Sequence, residues 1–313
     1  MTTLMDVAEK AGVSKSTVSN VIRGTAMVAE ETRARVERAI AETGYHPNAI
    51  ARSLKARTSS AIGIVVPDLT NPFYAQLAVG VERAANALGY AVLTANTECL
   101  PETEEQAARA WIERRVDGVI IGGMSLASTL PKVLLDRDVP VVLASLGEFE
   151  DPRLGVIDHD DAAAMESIVA HLYDLGHRRL AFVSDHLREH AGERRFLGFK
   201  AALKKRRLMP IAIDDGATAV VAHNDLQAIA TMDRLERRGL KVPDDVSVVG
   251  FDDIPLAGHS RIQLTTVRSD AVEMSRRAVD LVIQAARGNR PVSHREFLDV
   301  QLVVRSTTAR PSK

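Results

Sequence analysis

Apolar residues recur at helical spacing through the first 45 positions, and no alternating strand pattern interrupts them. Leu4, Val7, Ala8 and Ala11 share one face behind Thr3, a good N-cap. Gly12-Val13 breaks that helix, and Ser14 is placed to cap a second, which runs to about Ile22 and stops at Gly24. A third is predicted from about Glu30 to Thr43, with Val36, Ala39 and Ile40 apolar and Gly44 suited to the left-handed C′ conformation. Ala8, Gly12 and Val18 have the spacing of a helix-turn-helix: a small residue where two helices cross, a tight turn, and an apolar side chain directed back into the core. If the second helix enters a major groove, Lys15, Ser16 and Asn20 reach base edges. Lys15 suits guanine O6/N7 and Asn20 suits adenine N6/N7, with Thr17 and Ser19 nearer phosphates and Arg23 and Arg33 toward the backbone. A generic helical hairpin with solvated polar residues is the competing reading.

From Ala61 onward the pattern changes to short apolar runs alternating with amphipathic helices. The predicted strands are Ile62 to Val66, Tyr90 to Thr94, Gly118 to Ile121, Val139 to Ala144, Arg179 to Val183, Ala219 to Ala222 and Val246 to Phe251. A helix from Pro72 to Leu88 carries Phe73, Leu77, Val81, Ala84 and Leu88 on one face, a candidate surface for a second copy of the chain. This is a doubly wound α/β body, and such sheets bind ligands at the carboxyl ends of their strands.

A length of 313 residues calls for two or three domains, and 46% hydrophobic with 26% charged residues is an ordinary globular mixture. No uncharged apolar run approaches the roughly 18 residues of a membrane span, and the N-terminus lacks the order of a signal peptide, so a cytoplasmic protein with no membrane partner is expected. The single cysteine, Cys99, excludes an internal disulfide and is assigned to packing. A net charge of −1 argues against a nucleic-acid partner until it is divided. Residues 1–60 hold 9 Lys+Arg against 6 Asp+Glu, or +3, and the other 253 hold 31 against 35, or −4.

Residues 45–60 stand where a linker belongs, yet Pro47 opens and Thr58-Ser59-Ser60 closes a short helix with Ile50, Ala51 and Leu54 apolar and Arg52, Lys55 and Arg57 basic. One to two turns are unstable alone and need a partner. Thr17-Val18-Ser19-Asn20-Val21-Ile22, Glu31-Thr32-Arg33, Gly44-Tyr45-His46-Pro47-Asn48 and Ala51-Arg52-Ser53-Leu54 together resemble the head and hinge of the lactose/galactose repressor (LacI/GalR) family. The resemblance implies that two hinge helices fold together on an operator. Leu54 would wedge into a minor-groove base step, with Ala51 beside it and Lys55 at the groove edge, kinking the duplex. Two departures stand in the head: Asn20 replaces a frequent arginine, and Ala29 replaces the residue that caps the third helix.

The likeness continues through Pro67-Asp68-Leu69-Thr70-Asn71-Pro72-Phe73, Val116-Asp117-Gly118, Leu175-Gly176-His177-Arg178-Arg179, His223-Asn224-Asp225, Val249-Gly250-Phe251-Asp252-Asp253 and Leu264-Thr265-Thr266-Val267. It implies an all-α helix-turn-helix head joined to an α/β, periplasmic-binding-protein-like effector domain of two doubly wound lobes. The expected boundaries are 1–45 for the head, 46–60 for hinge helix and linker, and 61–313 for the effector and dimerisation domain. Its first lobe covers about 61–158 plus 268–299, and its second about 159–267 plus 300–308. By resemblance Phe73, Arg195, Asn224 and Asp252 face the ligand, a donor and acceptor set suited to a sugar or derivative. Ser145, Leu146 and Ser184-Asp185 depart from the family pattern. Between Leu203 and Thr218 there is also room for about one helix fewer than the family carries, so either the second lobe is shortened or the chain omits a segment.

His186-Leu187-Arg188-Glu189-His190 fits the H-x-x-E-H spacing of a zinc site, without a third ligand. Asp158-His159-Asp160-Asp161 is better explained as a strand end followed by a capped helix. Neither a phosphate loop nor a nucleophile elbow occurs, so neither an enzyme nor a cofactor is expected. The reading is therefore a DNA-binding transcriptional regulator, a repressor acting as a homodimer on a near-palindromic double-stranded operator under control of a small sugar-like effector. Two alternatives stand beside it: a regulator that has lost its effector response, and a sugar-binding module without operator specificity.

Overall fold

The computed structural model describes residues 2–22, 28–45, 58–145, 151–185, 190–288 and 294–312. The chain divides into two compact units, Met1–Ser59 and Ser60–Lys313. The first contains α1 (Leu4–Ala11), α2 (Lys15–Ile22) and α3 (Glu30–Thr43). A capping box opens α1: Asp6 N donates to Thr3 Oγ1 and Thr3 N donates to Asp6 Oδ2. Gly12, at φ 64°, turns the chain toward α2, and Ser14 Oγ accepts from Thr17 N at 3.1 Å. Val7, Ala8, Ala11, Val18, Val21, Val36 and Ala39 form the core. Ala29 gives α3 no side-chain cap, and Gly44, at φ 61°, ends it. The hinge residues Ala51, Leu54 and Lys55, together with Arg23, Leu146 and the stretch 186–189, lie outside the described residues.

The second unit starts with a six-stranded parallel sheet of order β10-β5-β4-β3-β1-β2, made of β1 (Ala61–Val66), β2 (Ala91–Asn96), β3 (Gly118–Ile121), β4 (Val141–Ala144), β5 (Gly155–His159) and β10 (His294–Leu298). One face packs on α4 (Pro72–Ala87) and α10 (Ala271–Gly288), the other on α5 (Pro101–Arg114) and α6 (Leu130–Leu135). Small residues let these layers meet: a Cβ at Gly118 would lie 2.5 Å from Val282 Cγ2, and one at Gly63 would lie 2.8 Å from the Trp111 ring. Of the apolar stripe predicted on this helix, Phe73, Leu77 and Val81 are buried inside this unit, while Leu88, just past the end of α4, is exposed, as is Val79.

The other lobe holds the parallel strands β6 (Leu180–Val183), β7 (Ala219–Ala222) and β8 (Ser247–Val249), with α7 (Asp161–Leu175) and α8 (His190–Lys205) over one face and α9 (Asp225–Arg237) over the other. An antiparallel pair, β9 (Thr266–Arg268) with β11 (Gln301–Val303), completes it. Beside β6 the chain makes a single parallel bridge, Ala181 to Ile211, and enters β7 after one 3₁₀ turn at Ile213–Asp215. A parallel return needs a crossover of a dozen or more residues. Only seven separate Ile211 from Ala219, so an edge strand cannot run up the sheet and return. The short path is fastened: Arg179 Nη2 donates to Asp215 O, Arg238 pairs with Asp214, and Gly216 turns at φ 80°. The chain crosses between lobes three times, at 159–161, 268–271 and 298–301.

Candidate functional site

On α2 the side chains of Lys15 and Ser16 are exposed, and Thr17, Ser19 and Asn20 are half-buried. Ser14 Oγ lies 2.7 Å from Ser16 Oγ and 2.8 Å from Thr17 Oγ1, so the hydroxyls are held together at the helix start. The first turn carries no acidic residue, which leaves the positive end of the helix dipole available to phosphate oxygens. Val18, by contrast, is fully buried against α1 and α3, as the helix-turn-helix spacing requires.

In the second unit a pocket of about 200 Å³ opens between the lobes. Asp68, Asn71 and Tyr74 line it from the first lobe, and Asp185, Asn224 and Gln227 from the second. Two helices begin at this pocket: Asn71 caps α4 through Phe73 N, and Asn224 caps α9 through Gln227 N. Of the four residues assigned to the ligand by resemblance, Asn224 alone lines the pocket. Phe73, Arg195 and Asp252 are 4%, 3% and 6% exposed. Phe73 meets Tyr74 edge-on at 5.2 Å and packs in the core with Ile254 and Leu264, while Tyr74 presents its ring to the pocket.

Arg195 is the centre of a buried polar cluster. Its Nη1 donates to His223 O at 2.7 Å, Nη2 lies 3.4 Å from Asp252 Oδ1, Nε lies 3.5 Å from Asp161 Oδ1, and the guanidinium stacks 3.6 Å from the Phe251 ring centroid. Arg194 extends the cluster to Asp158 at 2.9 Å and Asp161 at 3.1 Å. Burial pushes the Asp252 carboxyl up to about 7, with Arg195 opposing and Asp161 adding to the rise. Burial works against the charge on Arg195, but Asp252 and Asp161 outweigh it and keep the guanidinium protonated. Asp158 rises to about 6 by burial, and burial holds His159 down to about 4, as a neutral imidazole.

Asp252 and Asp253 both have positive φ, 108° and 54°, a costly backbone for a side chain with a Cβ. Ion pairs hold it: Asp253 with Arg268 at 2.7 Å and Arg305 at 2.6 Å, and Asp252 with Arg195. Asp225, pushed up to about 8 by burial and the nearby Asp252, accepts from Ile254 N and Thr266 Oγ1 and joins three loops. A Cβ at Gly250 would overlap its carboxylate, which explains the glycine there. Among the described residues no group of His, Cys, Asp or Glu is arranged to hold a metal ion, and no helix is long and apolar enough to cross a membrane. Asp160 caps α7 by accepting from Ala163 N, as the strand-end reading of its cluster predicts.

Comparison with known proteins covers both units. Residues 3–48 match the model of bacterial regulatory proteins of the lacI family, and residues 59–218 match that of periplasmic binding proteins and the sugar binding domain of the LacI family. Residues 169–308 match a periplasmic binding protein-like domain. The HTH-type transcriptional repressor PurR of Vibrio vulnificus (strain CMCP6) is 32% identical over 331 positions, with 98% of each chain covered. That alignment exceeds the 313 residues of this chain, so it includes at least 18 positions (331 less 313) that this chain lacks. Among solved structures, the lac repressor dimer bound to operator and the anti-inducer ONPF has a TM-score of 0.87 at 29% identity, covering 98% of this chain and 99% of that one. The transcriptional regulator CelR in complex with cellobiose has a TM-score of 0.72 at 28% identity, covering 98% and 100%.

Proposed function

The chain belongs to the LacI family of bacterial regulatory proteins, and from that premise we propose how it acts. It is a DNA-binding transcriptional repressor under the control of a small-molecule effector, and not an enzyme. Lys15, Ser16 and Asn20 on α2 read base edges, and Thr17 and Ser19 hold phosphates. Two subunits present two heads to a near-palindrome, because the twofold axis of a dimer imposes one on the site. The hinge wedge, Leu54 with Ala51 and Lys55, enters the minor groove. The protein works in the cytoplasm, where its operator is.

A sugar-like effector binds between the lobes, with Asn224 at the pocket and Arg195 and Asp252 behind it fixing the walls. Binding changes the angle between lobes and so the population of hinge helices able to fold on DNA, a reciprocal coupling of typically about 1–3 kcal/mol. The observation that carries this over an effector-silent regulator is the cleft itself. Despite the shortened second lobe, a 200 Å³ pocket remains, backed by the buried Arg195–Asp252 pair. The test is footprinting on operator DNA with wild type and Leu54→Ala. The variant should lose most of its specific binding and keep its nonspecific binding; equal losses in both contradict the wedge.

A further inference from the structure

The basic residues of the second unit are unevenly placed. Between Arg195 and Asp214 the chain holds Lys200, Lys204, Lys205, Arg206 and Arg207 and no carboxylate, whereas the rest of residues 61–313 holds 26 Lys+Arg against 35 Asp+Glu. The five stand on the second half of α8 and on the turn that follows it. Backbone bonds fasten that turn: Arg206 N and Leu208 N both donate to Leu203 O, and Arg207 N donates to Lys204 O. Ile211 N then donates to Leu180 O at the start of β6. The cluster therefore sits at the opposite end of that strand from Asp185 and the cleft.

Two of the five cations are engaged locally. Glu166 on α7 meets Arg206 at 2.7 Å and Lys205 at 3.2 Å. Lys200, Lys204 and Arg207 are exposed and have no carboxylate partner among the described residues. A helix C-terminus favours cations in its last turn, which accounts for Lys204 and Lys205 but not for Lys200, a turn earlier, or Arg207, beyond the helix. Apolar side chains stand among these charges. Leu197 is 50% exposed and Met209 76%, and Leu197, Lys200, Ala201 and Lys204 follow one another at three- and four-residue spacing on one exposed face.

We propose that this face of α8, with the turn through Met209, is a docking surface for an acidic protein segment that carries apolar residues among its carboxylates. The uncompensated cations steer and pair the carboxylates. Leu197 supplies an apolar contact, and Met209, unbranched and adaptable, fits side chains of several shapes. A phosphate backbone would use the cations and leave both apolar residues in water. Bases stack on open aromatic faces, and the neighbouring Tyr173 ring is covered by Arg178 at 3.6 Å from its centroid. A membrane surface takes up the apolar face of a helix, and that face of α8, with Phe199, Ala202 and Leu203, is spent in the core.

The experiment is fluorescence anisotropy of the full chain with a short labelled peptide in which Glu and Asp alternate with Leu and Phe, beside oligoglutamate of the same length. The mixed peptide should bind, weaken as salt is raised, and exceed oligoglutamate by about tenfold. Lys200→Glu/Lys204→Glu/Arg207→Glu should cost about tenfold or more, and the corresponding triple glutamine variant, which adds no carboxylate to the helix end, should lose part of the affinity. Leu197→Ser/Met209→Ser should bring the mixed peptide down to the level of oligoglutamate. Arg115→Glu/Arg137→Glu, at exposed positions of the first lobe, should bind as wild type does. No binding of the mixed peptide overturns the proposal, as does wild-type affinity in the triple glutamate variant, which would place the peptide on the unaltered head or elsewhere. Equal affinity for the two peptides reduces the surface to unspecific charge attraction and also overturns it. Full displacement of the peptide by phosphatidylserine vesicles or non-operator duplex DNA gives the surface to lipid or nucleic acid instead.

Discussion

Replacing Arg195 by methionine removes the charge at the centre of the second unit while keeping an apolar stem over Phe251. The arginine holds two carboxylates, Asp252 and Asp161, and one carbonyl, with nearly all of its surface buried. Removing one partner of a buried ion pair typically costs about 3–5 kcal/mol, because the other charge is left uncompensated. Asp252 softens that cost. Its carboxyl is already pushed up to about 7, so in the variant it takes a proton instead of remaining a buried anion, and the lower figure of about 3 kcal/mol applies near neutral pH. A unit of this size loses about 2–4 °C of melting temperature per kcal/mol, so the expected fall is roughly 6–12 °C. The cost should shrink on acidification, since Asp252 then holds its proton in both proteins. Calorimetry of both at about pH 8 and about pH 5.5 measures the difference. A fall below about 2 °C at the higher pH, or an equal fall at both, refutes the claim that Arg195 balances buried carboxylates.

Two further outcomes follow from other parts of the molecule. Ala29→Asp supplies the side-chain cap that α3 lacks and should stabilise the head by about 1 kcal/mol in urea unfolding; no gain, or a loss, contradicts the cap assignment. The stability of the second unit should rise as pH falls from about 8 toward about 6.5, because Asp225 and Asp252, raised to about 8 and about 7, bind protons more tightly folded than unfolded. Below about 6.5 the gain is opposed by His159, held down to about 4, which must stay neutral in the fold while the unfolded chain protonates it. A melting temperature that climbs steadily from pH about 6 to about 8 refutes this balance.

Local signals made the head legible. Thr3, Gly12, Ser14 and Gly44 act within one helical turn of themselves, and the helix bounds they predict are those observed. Even the missing cap at Ala29 could be read directly. The sheet was legible where strands are buried on both faces, as at Ile62 to Val66, and not where pairing over long separations creates them. β10, His-Arg-Glu-Phe-Leu, has no apolar run and is a strand because it lies along β5. β9 and β11 are three residues each and exist through one another.

The site divides in the same way. Resemblance named Phe73, Arg195, Asn224 and Asp252 as facing the ligand; Asn224 alone lines the pocket, Arg195 and Asp252 are buried, and Tyr74, adjacent to Phe73, lines it instead. Successive residues on a helix point about 100° apart, and from sequence alone either could have faced the ligand. Asp68 and Gln227, each three residues from the caps Asn71 and Asn224, also line the pocket, which the pattern of apolar positions does not reveal. Asp185 stood out as a departure from the family pattern, without the charge it brings to the pocket being recognised. His159 was read as part of a strand end, which is its backbone role and says nothing of its unbonded ring.

The threefold passage of the chain between lobes also sets an order of completion during synthesis. The head has a core of its own within the first 45 residues, so it can fold as soon as it leaves the ribosome. The first lobe cannot: α10 is half of one of its helical layers, anchored by Ser275 Oγ donating to Leu77 O across 198 positions, and β10 closes its sheet. The second lobe waits longer still, for Thr307 to donate to the Val248 carbonyl and for the Ala309 carbonyl to meet His177. A chain that stops between residue 60 and these residues carries a finished DNA reader on an unfinished sensor, so the segment around Thr307 and Ala309 is what brings the reader under control.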